Sequence, residues 1–191
     1  MFSAVLDICV LWPSLRRDLL LSLSAERLYR PLWGSRILEE LEVHEQRKLE
    51  GRGTASDEAA ERAARLVDTM RSAFDDALVT GWEQLDGTFG LPDPDDEHVV
   101  ATAVISGADV IVTENVKDMP RSLVPDHIDI QTPQKFAANT ITVDPLRAMT
   151  AVRNMVDRYQ HPPMSFDELL DLLTARYGMN EAAKVLKETP G

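Results

Sequence analysis

The chain has 191 residues, of which 44% are hydrophobic and 27% charged, which is typical of one globular domain with a small appendage. Its single cysteine, Cys9, excludes an internal disulfide framework and a cysteine-rich zinc site. A net charge of −12 argues against a protein that binds nucleic acid mainly by neutralising its phosphates. The same charge is compatible with bound divalent cations or a basic protein partner. Because no apolar stretch could span a membrane and no signal-peptide pattern opens the chain, we expect a cytoplasmic protein that binds no membrane.

Short apolar segments that favour strands alternate with helical patterns over roughly the first two thirds of the chain. This alternation predicts a three-layer α/β/α fold around a mostly parallel sheet, because parallel strands need crossover connections that are usually helical. The predicted strands are residues 1–7, 29–33, 78–82, 108–113 and 127–131. The predicted helices are residues 15–23, 36 to beyond 41 with Ser35 as the N-cap, 59–74 and 94–106.

Helical patterns dominate after about residue 140. Asp144-Pro145 and the capping box Ser165-Phe-Asp-Glu168 are helix starts, and Gly178 is a helix stop. We therefore predict an α/β domain at residues 1–136 and a helical appendage at residues 137–191. The predicted helices of the appendage are residues 145–159, 169–177 and 180–187.

Asp7 is the first candidate functional residue. It follows a short apolar segment that favours a buried parallel strand, so it is expected at the carboxyl edge of the sheet, where ligands bind in open α/β folds. Burying an unpaired carboxylate costs several kcal/mol. A bound metal would explain why an acid stands at this position.

Glu40 is the second candidate. At about 100° per residue, Ile37, Leu38 and Leu41 share one helix face, Glu39 points nearly opposite, and Glu40 lies at the border of the face. Glu40 is therefore the acid that can face the sheet edge. Two ordinary surface glutamates are the alternative.

Asp96 is the third candidate, within the segment Asp93-Pro-Asp-Asp-Glu97. Asp93 is suited to cap a helix that has proline at its first position, and the helix dipole alone would favour Asp93 and Asp95. Asp96 instead falls near the centre of the apolar stripe and should face inward. His98 is expected to point away from Asp96 and to be exposed.

The segment after residues 108–113 supplies the last candidates. Thr113, Asn115 and Asp118 emerge from the end of another predicted strand and should meet Asp7 at the same sheet edge. Taken singly, Asn115 would be a turn residue and Asp118 a helix cap. Their joint position favours a common site.

Four segments of the chain resemble PIN-domain ribonucleases, and more specifically the VapC-type toxins of bacterial toxin–antitoxin pairs. Together they span roughly residues 1–136, and the helical tail resembles an extension found in one branch of the family. The segments are Val5-Leu-Asp7 with Val10-Leu11, Ile37-Leu-Glu-Glu40-Leu41, Asp93-Pro-Asp-Asp96-Glu-His-Val-Val-Ala-Thr-Ala103 and Ile111-Val-Thr113-Glu-Asn115-Val-Lys-Asp118.

The resemblance implies a metal-dependent endoribonuclease with one or two Mg²⁺ or Mn²⁺ ions. A metal-activated water would attack an RNA phosphodiester in line, leaving 5′-phosphate and 3′-hydroxyl ends. The implied metal ligands are Asp7, Glu40, Asp96 and Asp118, with Thr113 and Asn115 positioning the last loop.

The resemblance also implies partners. These are a cognate antitoxin that inserts a basic side chain among the acids, and an RNA substrate such as a tRNA or rRNA loop. A homodimer or a toxin–antitoxin hetero-oligomer is expected.

Two positions depart from the family pattern. Many relatives have asparagine where this chain has Cys9, and some have an acid where it has Asn115, so the number of ions is open.

The main alternative is a non-catalytic PIN-like module that binds RNA or protein. A haloacid-dehalogenase-like phosphatase is disfavoured, because that chemistry needs a second aspartate at the position of Cys9. Cys9 has no evident histidine partner, so it is not expected to act as a nucleophile. The three tryptophans are interpreted as core or interface aromatics.

Overall fold

A computed structural model describes residues 1–160 and 162–190. The five strands form one sheet in the order β3-β2-β1-β4-β5, and every neighbouring pair is parallel. β1 lies in the centre, where Val5 is aligned with Leu32 of β2 and with Ile111 of β4. The strands are β1 Ser3–Leu6, β2 Arg30–Gly34, β3 Leu78–Val79, β4 Val110–Val112 and β5 Asp129–Gln131.

Helices flank the sheet and then continue beyond it, so the predicted fold class is confirmed. The helices that connect the strands are α1 Ile8–Leu11, α2 Ser14–Ala25, α3 Ser35–Glu50, α4 Ser56–Ala73 and α5 Glu97–Ser106. Those after the last strand are α6 Pro133–Val143, α7 Pro145–Arg158, α8 Phe166–Tyr177 and α9 Asn180–Glu188.

Most predicted helix starts are confirmed by their capping contacts. The Asp144 side chain accepts from the Arg147 amide at 3.0 Å, and Ser165 forms the predicted capping box with Glu168. The expected cap at Ser35 is wrong, because Ser35 is already helical and Gly34 precedes it. Gly34 allows a close approach there: an added Cβ would lie 2.7 Å from Thr102 Oγ1.

Two helices were not predicted. α1 follows Asp7 at once, and its four residues are too few for a helical period to be recognised. α6 begins at Pro133 with Thr132 as its cap, and the side chain of Thr132 accepts from the Lys135 amide at 3.3 Å. A threonine cap followed by proline was the signal that could have identified α6.

The C-terminal helices are fixed to the sheet domain through both apolar and polar contacts. Phe136 packs edge-to-face on Tyr29 with ring centroids 4.8 Å apart. Asp18 of α2 binds Arg158 at 3.1 Å and accepts from the Tyr159 hydroxyl at 2.8 Å. The predicted division between residues 136 and 137 falls inside α6 and stays a prediction.

The three tryptophans differ in exposure. Trp33 and Trp82 belong to the core, as predicted, whereas 42% of Trp12 is exposed.

Throughout residues 1–160 and 162–190, no helix is both long enough and apolar enough to cross a lipid bilayer.

Candidate metal centre at the carboxyl edge of the sheet

Asp7 lies where the central strand β1 ends and α1 begins. Only 1% of its surface is exposed. Its Oδ2 accepts from Thr113 Oγ1 at 2.6 Å and from Cys9 Sγ at 2.8 Å. Its Oδ1 is buried and has no hydrogen-bond partner among the described residues. A buried carboxylate oxygen left unpaired is costly, and a cation at this oxygen would remove the cost.

Asp96 presents a second unpaired carboxylate oxygen. It ends the single helical turn Pro94–Asp96, which Asp93 caps by accepting from the Asp95 amide at 3.0 Å. Asp96 is buried as predicted, and its Oδ2 has no partner within the described part of the chain. Burial, followed by the negative charge of Asp7, raises the pKa of Asp96 from 3.8 to about 6.

The loop after β4 joins this pair. Thr113 is fully buried, and its hydroxyl donates to Asp7. The same hydroxyl accepts from the backbone N–H of Asn115 at 2.9 Å. The side chain of Asn115 lowers the pKa of Asp96, and the charge of Asp118 raises it slightly. The structure therefore brings Asp7, Asp96 and the residues of this loop together.

Glu40 belongs to a neighbouring cluster. Its carboxylate contacts Arg36 Nε at 3.1 Å and faces His98 Nε2 at 3.5 Å. Partial burial favours a raised pKa, but His98 and Arg36 outweigh it and hold the pKa of Glu40 below its usual range. No hydrogen bond between described residues joins Glu40 to Asp7, Asp96 or Asp118. Glu39 is exposed, in agreement with its predicted orientation.

His98 is buried, with 2% of its surface exposed, so the expectation that it is exposed is wrong. Its Nδ1 lies 2.7 Å from the carbonyl oxygen of Asp95 and must carry a hydrogen to bind it. Its Nε2 lies 3.5 Å from Glu40 Oε2. Helix phase could not predict this burial, because His98 is covered by side chains from other segments: the ring of Trp82, 6.0 Å away, and the carboxylate of Glu40.

The donor set fits Mg²⁺ or Mn²⁺ better than zinc. In residues 1–160 and 162–190, no three His, Cys, Asp or Glu side chains converge closely enough to hold a metal by themselves. Asp7 and Asp96 nevertheless offer two buried, unpaired oxygens. Mg²⁺ commonly binds through one or two carboxylates and completes its six ligands with water and substrate phosphate. Two carboxylates are therefore sufficient for such an ion.

Cys9 acts on Asp7 as a neutral donor. Its thiol is partly buried and donates to Asp7, while the backbone amide of Glu114 donates to its sulfur at 3.2 Å. Burial, followed by the charge of Asp7, raises the pKa of Cys9 to about 12. A thiol that stays protonated supports the interpretation that Cys9 is not a nucleophile.

Arg16 is a buried residue of the site that the sequence reasoning missed. Its guanidinium binds the Cys9 carbonyl oxygen and pairs with Glu114, and its Nε donates to the Val10 carbonyl oxygen at 3.3 Å. It also lies over the ring of Tyr177 in α8, 5.5 Å from the centroid. Arg16 thereby links α1, the loop after β4 and the C-terminal helices. An arginine inside the dense apolar segment at residues 15–23 was the available signal.

Replacing Arg16 with methionine is expected to lower the free energy of unfolding by about 3 kcal/mol. The loss would come from a buried carbonyl oxygen and a carboxylate that both lose their partner. Urea denaturation measures the effect. Arg153→Met is the matched control, since Arg153 is exposed on α7, and it should change stability by less than about 0.5 kcal/mol. Equal stability of the two variants would contradict a structural role for Arg16.

Comparison with known proteins identifies the family. The PIN domain family matches residues 3–117, and the VapC50 C-terminal domain matches residues 133–188. A protein named "Putative ribonuclease VapC50" from Mycobacterium tuberculosis (strain ATCC 25618 / H37Rv) is 37% identical over 79 residues, which are 41% of this chain and 47% of that protein. The chain thus spans about half the length of this curated relative, and no solved structure matches it significantly. Because the match to the PIN domain covers more than half of the sequence, the chain belongs to the PIN domain family.

Proposed function

We propose that this protein is a metal-dependent endoribonuclease that acts as the toxin of a toxin–antitoxin pair. The observation that carries the proposal is the pair of buried oxygens, Asp7 Oδ1 and Asp96 Oδ2, that have no partner among the described residues. Two such carboxylates would repel each other unless a cation or a proton lay between them. The printed name of the relative, a ribonuclease, suggests which chemistry the cation serves.

The site residues have distinct roles in this proposal. Asp7 and Asp96 would hold Mg²⁺ or Mn²⁺, which when bound stabilises negative charge on phosphate oxygens and lowers the pKa of water. The Thr113 hydroxyl fixes Asp7 and the side chain of Asn115 orients Asp96. Asp118 adds negative charge to the same site.

Glu40 is proposed as a further ligand from the neighbouring cluster. Its Oε1 accepts from Arg36, whereas its Oε2 is buried and has no hydrogen-bond partner among the described residues, so Oε2 is the atom that could bind a cation.

The reaction is hydrolysis of an RNA phosphodiester. Water attacks the phosphorus in line with the leaving 3′ oxygen, and the products carry a 5′-phosphate and a 3′-hydroxyl. A tRNA or rRNA loop is the proposed substrate, since a single-stranded segment can enter an open sheet edge. Such an enzyme would act in the cytoplasm, where these RNAs are found.

An antitoxin is the proposed protein partner. A basic side chain placed between Asp7 and Asp96 would satisfy the same unpaired oxygens and exclude the cation. The net charge of −12 also favours a basic partner over a second acidic surface. The complex would be a toxin–antitoxin hetero-oligomer or contain a toxin homodimer.

Manganese-dependent cleavage of RNA tests the proposal. The protein should cleave total tRNA or rRNA with Mn²⁺, lose this activity in EDTA, and yield fragments that a 5′-phosphate-dependent exonuclease degrades. Asp96→Ala should be inactive. Asp95→Ala, which changes the exposed neighbour, should retain activity. RNA binding without cleavage would favour the alternative, a non-catalytic binding module.

A further inference from the structure

A cleft of about 530 Å³ opens between Trp12, at the end of α1, and helix α8. Within the described part of the chain it has no acidic lining residue, although acids outnumber bases by 32 to 20 in the sequence. Three cations and three aromatic side chains line it instead. These residues define the basic cleft: Lys48, Arg52, Arg176, Trp12, Tyr159 and Tyr177.

The cations of the basic cleft differ in their pairing. Lys48 binds Glu45 and donates to Ser14 Oγ at 3.0 Å, so its charge is already compensated. Arg52 and Arg176 are exposed, and neither forms an ion pair with another described residue. Two uncompensated guanidinium groups at one cleft of a strongly acidic protein attract an anion.

A second cleft, of about 410 Å³, lies further along α3, on the side of Glu40. Arg36, Glu40 and His44 of α3 line it. The ring of His44, which lines this second cleft, lies 6.1 Å from the ring of Trp12, which lines the basic cleft. Glu40, His44 and Lys48 follow one another at four-residue spacing along one face of α3, over about 12 Å.

The aromatic side chains differ in what they can offer a ligand. Tyr159 is held by Asp18, and the ring of Tyr177 is covered by the guanidinium of Arg16. Trp12 is 42% exposed and is the large aromatic surface open to the cleft. An indole beside unpaired arginines is the combination that binds single-stranded nucleic acid, by base stacking and phosphate contact.

We propose that the basic cleft binds the single-stranded RNA segment that flanks the scissile phosphate. Trp12 stacks a base, and Arg52 and Arg176 contact phosphates of the same strand. The proposal rests on the proposed nuclease function and specifies how its substrate is held. An acidic peptide would also be attracted by the arginines. The exposed indole of Trp12 favours RNA, as does its place at the end of the short helix α1 that starts directly after Asp7.

Binding of a short fluorescein-labelled oligouridylate, measured by anisotropy in EDTA, tests the proposal without cleavage. The variant Arg52→Glu with Arg176→Glu should bind at least tenfold more weakly. The slope of log Kd against the logarithm of the salt concentration should also decrease by about 1.4, because two phosphate contacts on a single strand are lost. Trp12→Ala should weaken binding about tenfold. The matched control is Arg153→Glu with Lys184→Glu, which reverses two exposed charges on α7 and α9 and should bind as the wild type does.

Cleavage assays separate this proposal from the proposed function. In Mn²⁺, the Arg52→Glu, Arg176→Glu variant should show a raised KM for the oligouridylate and an unchanged kcat/KM for a dinucleotide too short to reach Arg52. If the wild type and the control both cleave RNA but this variant binds and cleaves equally well, the basic cleft is not the RNA site. If the variant keeps RNA affinity and loses affinity for polyglutamate, the cleft binds a protein segment and the proposal is wrong. Absence of cleavage by the wild type would instead overturn the nuclease function.

Discussion

Replacing Asp7 with asparagine is expected to reduce RNA cleavage by about a thousandfold or more and to leave the fold intact. The variant loses a charged ligand at the centre of the site, and a loss of about 4 kcal/mol in transition-state stabilisation corresponds to three powers of ten. The amide oxygen of asparagine can still accept from Thr113, which holds Asp7 at 2.6 Å. Single-turnover cleavage in Mn²⁺ and circular dichroism measure the two effects.

Asp75→Asn is the matched control for this experiment. Asp75 is an exposed acid in the loop between α4 and β3. Its substitution removes the same charge at a position outside the candidate metal centre. The control should cleave RNA at the rate of the wild type. If Asp7→Asn keeps its activity in a preparation free of wild-type protein, Asp7 is not a ligand of the catalytic ion.

Replacing Asp96 with asparagine is expected to stabilise the metal-free protein at pH 7 and to abolish cleavage. The pKa of Asp96 is raised to about 6, mainly by burial and then by Asp7, so its ionised form is costly in the fold. Removing that charge should raise the free energy of unfolding by about 2 kcal/mol. Mn²⁺ should raise the Tm of the wild type, because binding to the folded state alone is stabilising, and should leave the Tm of the variant nearly unchanged.

The pH dependence of the wild type follows from the same shift. The folded protein holds the Asp96 proton more tightly than the unfolded chain, so this contribution to stability is full below about pH 4 and is lost as the pH rises through 6. Metal binding has the opposite dependence: Mn²⁺ affinity should fall as the pH is lowered through 6, since a protonated carboxyl is a poor ligand. Asp95→Asn, at the exposed neighbouring position, should keep both pH profiles. If the metal-free Asp96→Asn protein is less stable than the wild type, burial and the charge of Asp7 do not make the ionised Asp96 costly in the fold.

Local sequence patterns were sufficient for the layered fold and for the orientation of most acids. Alternating strand and helix patterns predicted a parallel sheet with flanking helices, and helix phase distinguished buried Asp96 from exposed Asp95. The same reasoning separated Glu40 from exposed Glu39. These predictions succeed because helix periodicity and capping depend on residues a few positions apart.

Contacts between distant segments could not be predicted in this way. His98 was expected to be exposed, but Trp82 and Glu40, which belong to other segments, lie against its ring. Arg16 reaches Glu114 and Tyr177 in other elements, and no spacing within its own helix indicates either partner. The cleft beside Trp12 forms only where α1, α3 and α8 meet.

The sequence by itself therefore determined the class of fold and the family resemblance, and it predicted which acids lie at the sheet edge. Only the tertiary structure decided that Asp7, Asp96 and Glu40 each keep one buried oxygen without a hydrogen-bond partner among the described residues, and that Arg36 binds the other oxygen of Glu40. The physical reason is that periodicity specifies which side of an element a residue occupies. Its partners depend on how elements about a hundred residues apart pack, as for Asp7 and Thr113, separated by 106 positions.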